Sequence, residues 1–157
     1  MSFSRILFSK DIFFTQKFVN NEVGIVHATI GGEWLIPTID NSYDGYVASG
    51  GTEANIEAMW IYRNYFMEEF NADIDDIAVV YSADTHYSIP KAIGLLHLQG
   101  IEFGVHPHTR EIDIVDLESK IKDAISSGFK YFIVNVNMAT TMFGSIDDID
   151  KITSLFN

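Results

Sequence analysis

The sequence predicts an α/β domain built on a mainly parallel sheet with flanking helices, and three observations predict it. Short runs rich in β-branched and aromatic residues recur along the chain, segments of helical spacing separate them, and the runs are apolar throughout instead of alternating. Continuously apolar strands are those buried on both faces, and strands that alternate with helices join as parallel neighbours. Residues 1–44 read as an N-terminal segment and residues 45–157 as one domain, with a turn cluster, Asp40-Asn-Ser-Tyr-Asp-Gly45, between them.

Each element follows from local pattern. Gly45 to Ala48 reads as a short strand running into Ser49-Gly50-Gly51-Thr52. Glu53 to Phe70 has Ile56, Met59, Trp60, Arg63, Phe66, Met67 and Phe70 at helical spacing. Ile77 to Tyr81 is a buried-strand run, Ser88 to Leu98 returns to helical spacing, and Ile101 to Val105 is a short strand. Asp113 is placed to cap a helix, with Asp116 reaching back as in a capping box. Tyr131 to Val136 is a second buried strand, and Ser145 to Phe156 a final helix behind acidic residues. The chain then stops with no strand to follow, which reads as a truncated α/β unit. The N-terminal segment carries a Gly31-Gly32 turn.

Composition narrows the function. The chain has 157 residues, 47% of them hydrophobic, and a net charge of -12. The apolar content suggests surface meant for a partner, and the negative charge argues against nucleic acid. With no cysteine, disulfides, thiolate metal sites and thiol nucleophiles are excluded. Ser9, Lys10 and Asp11 interrupt the early apolar stretch, so no signal-peptide core forms. No uncharged run approaches a membrane span. The expected location is the cytoplasm.

Three loops carry chemistry. Ser49-Gly50-Gly51-Thr52-Glu53-Ala54-Asn55 lies between a strand and a helix. Its glycines allow close backbone approach, the helix start offers free N–H groups, and Thr52 adds a hydroxyl. It is either a phosphate cradle or a glycine turn that only starts a helix; it is neither a Walker loop nor a dinucleotide fingerprint. Asp84-Thr85-His86-Tyr87-Ser88 leaves a buried strand at its carboxyl end, where ligands bind in α/β sheets. His86 there suits stacking, proton transfer or a hydrogen bond to a carboxylate, or it is incidental to a capping loop. Asn135-Val-Asn-Met-Ala-Thr140-Thr141 leaves the next buried strand in the same way and brings two hydroxyls to that edge.

Together, in order and spacing, these blocks resemble the group II pyridoxal-phosphate decarboxylases, with Lys91-Ala92 after the second and Met-Phe-Gly-Ser-Ile-Asp-Asp-Ile-Asp150 after the third. The histidine and serine decarboxylase branch is the nearest pattern, and the resemblance runs from Gly45 to about Ile152, roughly two thirds of the chain. It implies part of the large, cofactor-binding domain of a fold-type I enzyme, with pyridoxal phosphate as cofactor. Gly50, Gly51 and Thr52 would hold the phosphate, and His86, the catalytic candidate, would stack on the ring. Thr141, more than Thr140, would lie near the phenolic oxygen. The implied reaction is loss of the α-carboxylate from an amino acid, with the ring as electron sink. The apolar composition and the missing remainder of the domain suggest a homodimer or higher assembly, or a complementing second chain.

Ala139 departs from the family's glycine, and the segment before Gly45 is short and unmatched. The family's ring-nitrogen aspartate and Schiff-base lysine fall beyond Asn157, and none of the seven lysines sits in a Ser-x-His-Lys setting; Lys91 is not the family's Schiff-base lysine. The alternatives are a lyase of the sphingosine-phosphate type, a non-catalytic remnant, or half of a split enzyme. The remaining candidates read as structure: His106-Pro107-His108 as a turn with no metal, His27 and His97 as packing or surface residues, and Asp73 to Asp76 and Asp147-Asp148 as solvated loops and helix starts.

Overall fold

The computed structural model describes residues 6–8, 24–25 and 47–155. The Gly31-Gly32 turn, His27 and the start of the predicted strand at Gly45 lie outside them. Strands β1 (Ile6–Phe8), β4 (Ile77–Ser82), β5 (Gln99–Phe103) and β6 (Tyr131–Val134) form a four-stranded sheet in the order β1-β6-β4-β5. Every pairing in it is parallel, with Val80 opposite Val134 and Val79 opposite Gly100. β2 (Gly24–Ile25) and β3 (Val47–Ala48) pair antiparallel as a separate two-stranded sheet. The helices are α1 (Gly51–Phe70), α2 (Ser88–Leu95), α3 (Ile114–Ser126) and α4 (Ile149–Ser154).

The apolar strands alternate between two cores, as the two-residue period of a strand requires. Ile77, Val79 and Ile133 pack with Met59 and Phe66 of α1 and Ile89 and Ile93 of α2. Ala78, Val80, Phe132 and Val134 pack with Leu117 and Ile121 of α3 and Ile152 of α4. Both faces of the sheet are therefore covered, which is why its strands read as unbroken apolar runs.

Four expectations need correction. α1 buries the stripe Ala54, Ala58, Met59 and Phe66, whereas Trp60 and Met67 are 42% and 39% exposed; a step of about 100° per residue carries them off the stripe. The capping box at Asp113 does not close. Asp113 Oδ1 accepts from the N–H groups of Val115 and Asp116, but its own N–H donates to the Gly104 carbonyl. Asp116 Oδ2 accepts instead from the Gly104 N–H at 2.7 Å, tying α3 to the end of β5. The last helix starts at Ile149, not Ser145, with Asp148 as its cap. Finally, β3 stands outside the parallel sheet, so the glycine loop does not leave a parallel strand.

Candidate active site

Because β4 and β6 run parallel in neighbouring positions, their following loops leave the same edge of the sheet. Buried polar groups join the two loops. The Asn137 amide nitrogen lies 3.1 Å from Ser82 Oγ and 3.2 Å from Thr85 Oγ1, and those hydroxyls are 3.2 Å apart. The Asn135 N–H extends the ladder to the Val80 carbonyl at 2.8 Å. The histidine loop and the threonine loop are thus one connected unit.

Its anchor is Asp147, which is 4% exposed and not solvated as expected. Its Oδ2 accepts from the Asn137 backbone N–H at 2.7 Å and from the Asn137 amide at 2.9 Å. Burial pushes the Asp147 carboxyl above the usual carboxylate range; the two donors of Asn137 work against that, and the neighbouring Asp84 charge adds to it. The sequence signal was present: an acid following a strand-end Asn-x-Asn by ten residues. The reading as a helix start absorbed it, and Asp148 is the residue that caps.

The glycine loop reaches this edge through α1. The Asn55 Nδ2 donates to Ser88 Oγ at 2.7 Å, Ser88 Oγ lies 2.8 Å from His86 Nδ1, and the Ser88 N–H donates to the same Nδ1 at 3.2 Å. The first turns of α1 and His86 are thus in register across a buried hydroxyl. Asn55 is 5% exposed and its Oδ1 has no partner among the described residues, a cost of about 1–3 kcal/mol with Nδ2 turned to Ser88. At the N-terminus of α1, Gly50 caps with no side-chain hydrogen bond. Glu53 accepts from the Ser49 N–H at 2.9 Å and from the Ser49 hydroxyl. A Cβ built on Gly50 meets no atom of the described residues within 4 Å, so packing among them does not require a glycine there. What the missing Cβ leaves is open approach to a helix N-terminus, which suits a phosphate.

The two threonines divide. Thr140 is buried, its hydroxyl 2.8 Å from Ser145 Oγ and accepting from the Ser145 N–H, whereas Thr141 is exposed. Behind the histidine loop, Arg110 Nε donates to Asp84 Oδ2 at 2.8 Å and Nη2 to Oδ1, and the guanidinium lies over the Phe143 ring at 4.2 Å. Lys91 Nζ sits 4.7 Å from the Tyr87 ring centre. His106-Pro107-His108 forms a tight turn closed by Arg110 N–H to His106 C=O, and His97 is exposed. Among the described residues no three His, Asp or Glu groups are placed to hold a metal ion, and no helix is long and apolar enough to cross a membrane.

A parallel sheet covered on both faces, with the loops after β4 and β6 joined at one edge, is the α/β architecture of the fold-type I class. The chain belongs to the pyridoxal-dependent decarboxylase family, whose conserved domain matches residues 25–157. It is 51% identical to a tryptophan decarboxylase of Clostridium sporogenes over 118 residues, which is 75% of this chain and 28% of that protein. It is 35% identical to serine decarboxylase 3 of Oryza sativa (78% and 24% of the two chains) and 37% to a histidine decarboxylase of Solanum lycopersicum (70% and 24%). Among solved structures, mouse CSAD superposes with a TM-score of 0.61 at 27% identity, over 73% of this chain and 26% of that one. Oryza sativa TDC with PLP superposes with a TM-score of 0.60 over 67% and 24%, a likeness of fold at 17% identity. The chain spans about a quarter of the length of these relatives. The family's cofactor is pyridoxal phosphate, and the uncapped start of α1 beside Gly50 fits its phosphate.

Proposed function

We propose that this segment supplies the phosphate-binding and ring-facing half of the active site of an L-amino-acid decarboxylase. The observation that carries the reading is the bonded path from Asn55 on the glycine-loop helix through Ser88 to His86. It ties a phosphate site to a planar side chain at one sheet edge, as a phosphorylated aromatic cofactor needs. Gly50, Gly51 and Thr52 bind the phosphate through backbone N–H groups and one hydroxyl. His86 lies against the ring, and Thr141, whose hydroxyl has no hydrogen bond among the described residues, reaches the phenolic oxygen. When bound, pyridoxal phosphate supplies the electron sink for loss of the α-carboxylate. The lysine that bonds the cofactor and the acid that faces its ring nitrogen come from outside these 157 residues. In support, the described Lys120, Lys122, Lys130 and Lys151 are engaged with Glu102, Glu118, Asp76 and Asp148 respectively. The 51% identity to a tryptophan decarboxylase, against 35% and 37% to serine and histidine enzymes, favours an aromatic substrate. Met142, Phe143 and Ile146, all exposed at the same edge, favour a dimer or a complementing chain over a free monomer.

The test is to titrate the purified chain with pyridoxal phosphate, follow its absorption with and without inorganic phosphate, then reduce with borohydride and assay carbon dioxide release from tryptophan, histidine and serine. Phosphate-competed binding that Thr52→Ala with Gly51→Val abolishes, without turnover, is the expected result. Absence of competed binding overturns the phosphate site; a single modified lysine together with turnover overturns the external lysine.

A further inference from the structure

We infer that Ser88 and Asn55 are positioning residues that hold His86 as its Nε2–H tautomer, so that the ring meets its ligand as a hydrogen-bond donor and not as a base. The proton count decides this. The Ser88 backbone N–H points at His86 Nδ1 from 3.2 Å, so Nδ1 must present a lone pair and carries no proton. Ser88 Oγ, 2.8 Å from the same Nδ1, must then donate its single proton to it. A hydroxyl that donates there is free to accept, and the Asn55 Nδ2 donates to it at 2.7 Å. Were the Asn55 amide reversed, its oxygen would take the Ser88 proton and Nδ1 would lose one of its two donors. All three groups are fixed: Ser88 is fully buried at the start of α2, Asn55 is buried on α1, and the loop between Ser82 and Ser88 is pinned by the Thr85 N–H to the Ser82 carbonyl at 2.9 Å. The neutral ring therefore carries its proton on Nε2.

Two consequences follow. The lone pair of the imidazole is spent on α2, so neither nitrogen is available to abstract a proton from a substrate. Nε2 offers an N–H, and the complementary ligand group is an acceptor: a carboxylate, a phenolate-type oxygen or the face of an electron-rich ring. This rests on the cofactor-site reading only for what the Nε2–H is used for; the tautomer itself is a property of the ligand-free chain.

The experiment is a long-range proton–nitrogen correlation spectrum of the uniformly nitrogen-15-labelled chain without cofactor, with the His86 ring assigned by its loss in His86→Gln. The expected signature is a pyridine-type Nδ1 and a pyrrole-type Nε2. A proton on Nδ1, or an even mixture of tautomers, overturns the inference on the wild-type chain, before any variant is needed. Ser88→Thr, which keeps the hydroxyl, retains the signature, whereas Ser88→Ala moves the tautomer ratio by up to about tenfold toward Nδ1–H. Asn55→Asp turns the Ser88 proton away from the ring and produces a shift in the same direction. An unchanged ratio in Asn55→Asp shows that the hydroxyl never donated to Nδ1, and sinks the relay. A chain with the expected signature that fails to bind pyridoxal phosphate keeps the tautomer and loses the functional reading. A chain that binds it with Nδ1 protonated does the reverse.

Discussion

Asn137 reaches a single carboxylate oxygen of Asp147 twice, through its backbone N–H at 2.7 Å and its side-chain amide at 2.9 Å. The same amide nitrogen faces the hydroxyls of Ser82 and Thr85. One side chain therefore satisfies a buried carboxylate and fastens the two loops that carry His86 and Thr141. Asn137→Ala leaves the carboxylate with one donor fewer, and the buried Ser82 hydroxyl and half-buried Thr85 hydroxyl without the amide. The expected loss is about 2–4 kcal/mol in urea unfolding. A loss under about 0.5 kcal/mol, the range of an ordinary surface change, would mean that the two loops are held by something else.

The raised Asp147 carboxyl has a pH consequence of definite sign. Its pKa in the folded chain lies above the ordinary value because burial disfavours the charged form. Between those two values the folded chain binds more protons than the unfolded one, so stability falls as pH rises through that window. This contribution is complete below the ordinary carboxylate value and is lost as pH rises through the raised value of the folded chain. Asp147→Asn removes it. The stability difference between the native chain and Asp147→Asn should accordingly favour the native chain more in acid than at pH 7, in paired unfolding curves. A difference that stays flat or grows with pH would contradict a raised pKa.

Asp84 is paired by geometry that only arginine supplies. Its carboxylate side chain is 7% exposed, and Arg110 meets both its oxygens through Nε and Nη2. Arg110→Ala leaves that carboxylate buried and unpaired, at an expected cost of about 3 kcal/mol. Arg110→Lys should recover less than half of it, since an ammonium cannot make the two-pronged contact or lie flat on Phe143. Equal stability of Arg110→Lys and the native chain would show that charge alone is enough.

What the sequence made legible was what local period and order control. The apolar runs Ile77 to Tyr81 and Tyr131 to Val136 marked the buried parallel strands Ile77–Ser82 and Tyr131–Val134, because both faces of the sheet are covered. Asp113 announced its helix start because capping is settled within three residues. What it hid depends on partners far along the chain. Asp116 turns to Gly104, twelve residues back, and Asn55 meets Ser88 thirty-three residues on. β3 pairs with Gly24–Ile25 instead of joining the parallel sheet, which a two-residue strand cannot signal. Asp147 carried the same local pattern as Asp148, and only the position of Asn137 distinguishes a buried anchor from a solvated cap.

Gly50 separates the needs of the fold from those of the ligand. Its φ of 175 is extended backbone open to any residue, and a Cβ there touches no atom of the described residues within 4 Å. Gly50→Ala should therefore leave unfolding stability within about 0.5 kcal/mol of the native chain. The added methyl nevertheless stands at the uncapped start of α1, where the proposed phosphate must approach the backbone. Its exclusion by even part of one ligand contact, about 1.4 kcal/mol, weakens pyridoxal phosphate binding about tenfold. Inorganic phosphate, which binds through the same group, should weaken in parallel. The measurement is a pair of titrations beside a melting curve. Unchanged melting with weakened binding of both ligands is the expected result. Unchanged binding of both would remove the phosphate from the α1 terminus, and a large loss of stability would show that the fold itself requires glycine at this position.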